Sequence, residues 1–122
     1  VRVIVTGSRK WMDGKAVHHA LSNLYLEHGA FHLMHGACAT GADAAAQAWW
    51  EATHAITGCT EERFPANWER GKQAGPERNR RMVEAGADLV LAFPLPDGSG
   101  TQHTMQLARD AGIEIVEPCK EG

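Results

Sequence analysis

Val1 to Thr6 is a short apolar run rich in β-branched residues, and it stops at Gly7. Such a run ended by glycine reads as a buried strand closed by a turn. The unit returns along the chain: Phe31 to His35 ends at Gly36, Asp88 to Phe93 ends at Pro94, and Ile113 to Val116 follows Gly112. Helical patterns fill the intervals. From Asp13 the apolar positions Val17, Ala20, Leu21 and Leu24 keep three-and-four spacing, with Asp13 as N-cap and Gly29 as stop. An alanine-rich stretch runs from Gly41 through Trp49 and Trp50 to about His54. A third helix is expected to open with Pro76 at its first position and end at Gly86; a fourth is expected to be capped by Thr101 and to run to Ala111. Gly58 to Gly75 is less periodic and holds a short strand around Arg63 and Phe64. Strands alternating with helices across short links give an α/β fold: one three-layer domain over residues 1–122, with a mostly parallel sheet of about five strands and helices on both faces. Asp88 to Phe93, the most continuous apolar run, is expected at the centre of that sheet.

A chain of 122 residues has room for one such domain. No run approaches the roughly 18 apolar residues of a membrane span, and the chain enters a strand at once with no signal peptide, so a cytoplasmic protein without membrane partners is expected. Cys38, Cys59 and Cys119 are scattered, with no CxxC pair, and read as free thiols. His18 and His19 are adjacent and HExxH is absent, so neither a metal site nor a cofactor is expected. The net charge of −3 argues against wrapping a polynucleotide. Charge is uneven, however. Arg63, Arg70, Lys72, Arg78, Arg80 and Arg81 face only Glu69 and Glu77 in that stretch, giving +4 locally against −7 for the remainder, and one basic surface is expected there.

In a parallel sheet, ligands bind beyond the carboxyl ends of the strands, where loops and helix N-termini meet. Three glycine turns fall on that edge. In the first, Gly7, Ser8 and Arg9 offer amides, a hydroxyl and a charge. In the second, Gly36 and Gly41 have the spacing of a phosphate loop, but Ala42 and Asp43 replace its lysine and hydroxyl, so this is no Walker site. Gly41 still brings a ligand to the helix start, and Asp43 suits either a ribose hydroxyl or the positive end of its own helix. The third turn, Gly98, Ser99, Gly100 and Thr101, supplies several amides and hydroxyls to a phosphate at once. Arg78 and Asn79 lie near the start of the preceding helix, with Arg80 and Arg81 turned to solvent. Trp11 and Trp68, in loops, are the candidates for stacking on a base. Trp49 and Trp50 point to opposite sides of their helix, so one is available to a homo-oligomer contact, with a dimer the expected state.

Together the segments TGSRKW, HGACATGAD, FPANWERGKQAGPERNRRM, ADLVLAFP and GSGT resemble the YspA-like branch of the SLOG superfamily over nearly the whole chain. The resemblance implies a Rossmann-like domain that binds nucleotides or nucleotide-derived molecules, ADP-ribose-like ones among them, as sensor or sink. The superfamily also includes the LOG enzymes, which cleave the N-glycosidic bond of nucleoside 5′-monophosphates, and the DNA-processing protein DprA. Arg78, before Met82, falls on the LOG arginine and is thereby the candidate catalytic residue. Pro96 to Thr101 keeps most of the LOG loop, but the position of the LOG glutamate is Thr104, which cannot ionise near neutral pH. A LOG-like N-glycosidase would need another acid, Asp43, Asp97 or Glu77. A DprA-like binder of single-stranded DNA would use the basic stretch and an exposed tryptophan.

Overall fold

The computed structural model describes residues 1–96 and 98–119. Five strands, β1 (Arg2–Gly7), β2 (His32–His35), β3 (Thr60–Arg63), β4 (Leu89–Phe93) and β5 (Glu114–Val116), form one sheet in the order β3-β2-β1-β4-β5. Every pairing is parallel. The helices are α1 (Gly14–His28), α2 (Gly41–Thr57), α3 (Ala74–Glu84) and α4 (Ser99–Asp110), with a 3₁₀ segment at Trp68–Gln73 before α3. The α/β arrangement expected from the alternation is thus observed. β1 takes the middle of the sheet; β4, beside it, is the interior parallel strand expected, paired on both edges and covered on both faces.

Strand alternation splits the core in two. Val3, Val5, Leu33, Leu91 and Phe93 point to one face and pack on Val17, Leu21 and Leu24 of α1 and Ala42, Ala46 and Trp49 of α2. Ile4, Met34, Val90 and Ala92 point to the other and meet Met82 and Val83 of α3 and Met105 and Ala108 of α4. Each large buried side chain contributes roughly 1.5–3 kcal/mol. The chain therefore builds outward from β1 on one side, returns past it after β3, and builds outward again. That reversal leaves a crevice between the carboxyl ends of β1 and β4, where Gly7 is in register with Phe93.

The caps of α1 are as expected: Asp13 accepts from the Ala16 amide at 3.1 Å and Gly29 closes the helix. Two other helix starts differ. α3 begins at Ala74, making Pro76 its third residue, which costs nothing because amides of the first turn have no intrahelical acceptor. α4 begins at Ser99 with Gly98 at the N-cap, so Thr101 lies inside the first turn and caps nothing. The indole N–H groups of Trp49 and Trp50 are both used within the chain, on Ser22 Oγ and the Cys59 carbonyl. Among the described residues no helix is long and apolar enough to cross a membrane.

Candidate functional site

The crevice at the β1/β4 reversal opens into a cleft of about 530 Å³. From the first turn it is lined by Gly7, Ser8 and Arg9, from the second by Gly36 and Asp43, and from the third by Gly98, Ser99, Gly100 and Thr101. Arg78, Asn79 and Trp68 also line it. Of the glycine-turn and stacking candidates, two do not. Gly41 sits behind the wall, and Trp11 packs edge-on against Phe93 with its Nε1–H on the Asp13 carbonyl.

The turn after β1 is held from two sides. Ser8 N–H donates to the Phe93 carbonyl at 3.3 Å, and Ser8 Oγ accepts from the Lys10 amide at 3.0 Å. Thr40, at the N-cap of α2, gives its hydroxyl to the Arg9 carbonyl instead of capping its own helix. Gly41 has φ of 77°, and a side chain there would meet the Ser8 carbonyl.

Asp43 is buried in the first turn of α2 and accepts from the Gly36 amide at 3.1 Å. Burial pushes its pKa up, against the opposing pull of His35, the Cys38 thiol and Arg78. The Cys38 thiol is itself raised, by burial first and then by Asp43, and is therefore protonated and able to donate to that carboxylate. Arg78 is buried too, with Nη1 on the Gly36 carbonyl at 2.6 Å and Nε on Asn79 Oδ1 at 2.8 Å. A Cβ on Gly36 would overlap the Arg78 guanidinium and the Asp43 carboxylate, so this glycine is what allows the two charged groups to converge.

The start of α4 is the opposite case. It has no side-chain cap, and the Thr101 hydroxyl is buried without a hydrogen-bond partner among the described residues. A buried hydroxyl left unpaired costs about 1–3 kcal/mol, and its residue is one of those lining the cleft, in the first turn at the positive end of a helix.

Arg9 stacks on the Trp68 ring, 4.7 Å from its centroid, so one indole face is already taken by a cation. The cleft also takes in Lys10, Lys72, Cys38 and His103, none of which was a ligand candidate in the sequence, because their loops and helix face meet only once the sheet is assembled. Three of the six basic residues from Arg63 to Arg81 are buried or paired. Arg78 is inside, Arg63 is paired with Glu51 and Glu61, and Arg70 with Glu77. Local pairing offsets part of the charge that clusters in the sequence. Glu77, a candidate acid, lies away from the cleft lining and is held low in pKa by Arg70, while Asp97 lies outside the described residues. Thr104 is buried, with its hydroxyl on the Gly100 carbonyl at 3.3 Å.

Comparison with known proteins identifies the family. The YAcAr family profile, described as "YspA, cpYpsA-related SLOG family", matches residues 1–71, which include the first two turns of the cleft. The Gene 61 protein of Mycobacterium phage D29 is 43% identical over 118 residues, covering 94% of each chain, so the similarity continues through the third turn. By its turns, its sheet order and these matches, the chain belongs to the YspA, cpYpsA-related SLOG family.

Proposed function

We propose that the cleft binds a nucleotide or nucleotide-derived ligand, a nucleoside phosphate or an ADP-ribose-like molecule, and that the protein acts as its sensor or sink. The observation that carries this is the unpaired, buried Thr101 hydroxyl on the uncapped first turn of α4. A phosphoryl oxygen is the acceptor that a hydroxyl, several free amides and a helix N-terminus satisfy together. Arg9, Lys72 and Arg78 on the same cleft supply the countercharge, and the volume is in the range of small-molecule sites. Family membership supports a nucleotide-related ligand.

Calorimetric titration with AMP, ADP, ADP-ribose and adenosine tests the proposal. At least one phosphorylated ligand should bind, and adenosine about 100-fold more weakly or not at all, since loss of a phosphate removes several charge-assisted bonds. Equal affinity for adenosine and AMP would refute a phosphate cradle.

A second reading, hydrolysis of the N-glycosidic bond, rests on Asp43, a carboxyl on the cleft whose proton affinity is raised as a general acid requires. It predicts free base on incubation with nucleoside monophosphates and none with Asp43→Asn. Binding without base release leaves the sensor or sink role.

A further inference from the structure

Asn79 is buried on α3, and its amide is oriented by its partners. Arg78 Nε can only donate, so the atom it meets at 2.8 Å is the Asn79 oxygen, and Asn79 Nδ2 points the other way. There Nδ2 donates to the Gly100 carbonyl at 3.4 Å and lies 3.2 Å from His103 Nδ1. An amide nitrogen also only donates. His103 Nδ1 is therefore an acceptor, and the proton of the neutral ring is on Nε2. Burial first, and the charge of Arg80 second, hold this histidine below its ordinary pKa, so the ring is uncharged at neutral pH.

His103 lines the cleft, and no described residue accepts from its Nε2. Its neighbour Thr104, at the position of the LOG glutamate, is turned inward. We propose that His103 is a ligand-contacting residue of this cleft, presenting Nε2–H as an uncharged donor to an acceptor atom of the bound nucleotide, in the tautomer that Asn79 imposes. This rests on the nucleotide reading above. Arg9, Lys72 and Arg78 draw in an anion; a neutral N–H adds orientation and selection. With Nδ1 occupied, the ring cannot turn acceptor at that place, so a ligand offering a donor there leaves two donors face to face and is rejected.

Two variants and one spectroscopic measurement test the proposal, with AMP and ADP-ribose as probes. His103→Phe fills the ring volume with no hydrogen bond and should lose about tenfold in affinity or more. His103→Gln can accept from Asn79 with its oxygen and donate with its nitrogen, and should stay within about threefold of wild type. Long-range ¹H–¹⁵N correlation on ¹⁵N-histidine protein should show the Nε2–H tautomer in the free state and a shift of Nε2 when AMP is added. An Nδ1–H tautomer, or an unchanged affinity in His103→Phe, overturns the proposal. Should His103→Phe fail to fold, an Nε2 resonance unmoved by a probe that binds overturns it equally. Wild-type protein that binds neither probe removes the nucleotide reading and this proposal together, whereas wild-type binding matched by His103→Phe removes this proposal alone.

Discussion

Two walls of the cleft are glycine turns that follow a parallel strand, and they are chemically opposite. At the ends of β1 and β2 the polar groups are already paired: Asp43 with the Gly36 amide, Arg78 with the Gly36 carbonyl, Thr40 with the Arg9 carbonyl. The start of α4, by contrast, lacks a side-chain cap and holds a buried hydroxyl with no partner among the described residues. One wall is finished by folding, and the other is left for something to complete. The first fixes where Arg78 and Asp43 stand, and the second supplies the unspent donors.

The largest effect that separates the walls concerns stability. Gly36→Ala places a methyl group into the space shared by Arg78 and Asp43, and both must shift from hydrogen bonds that hold them. Neither group can retreat to solvent, because both are buried. Urea denaturation should show a loss of about 2–3 kcal/mol. A loss below about 0.5 kcal/mol, the scatter of ordinary surface changes, would mean this wall is as loose as the other.

Thr101→Val separates binding from folding. Valine keeps the shape and removes an unpaired hydroxyl, so stability should hold or rise, whereas affinity for a phosphorylated ligand should fall about tenfold for one charge-assisted bond. Titration beside thermal unfolding reads both. A destabilised variant with unchanged affinity would show that the hydroxyl serves the fold, and would end the contrast.

How much of this was legible in the sequence depends on where the signal lies. β1, β2 and β4 announced themselves because their interior positions are apolar, and the caps of α1 followed from Asp13 and Gly29. β3 did not. Its Thr60, Glu61, Glu62 and Arg63 form a polar edge strand, and its place beside β2 shows in the pairs His35–Glu61 and His32–Glu62, which exist only once the register is set. The three turns were legible as turns on one edge, but not their division of labour. That division follows from what lies within a few ångströms of each glycine, chiefly Arg78, which is 42 residues away from Gly36 in sequence. His103 was missed for the same reason, since its partner Asn79 is on another helix.

The smallest expected effect bears on the second wall alone. A Cβ on Gly100 would meet nothing within 4 Å, and the residue lies in the first turn of α4 without a left-handed backbone angle. Its flexibility is therefore not needed to fold the turn, and alanine should reduce the entropy lost on helix formation. Gly100→Ala should raise stability by about 0.5–1 kcal/mol in the same urea experiment that exposes Gly36→Ala. A ligand that approaches the α4 backbone closely would feel the new methyl group, although the free protein does not. Gain of stability with loss of affinity would mean that this glycine answers to the ligand, where Gly36 answers to the fold. Gain of stability with affinity unchanged would place the ligand farther from this turn and leave the Thr101 hydroxyl as its main contact on α4.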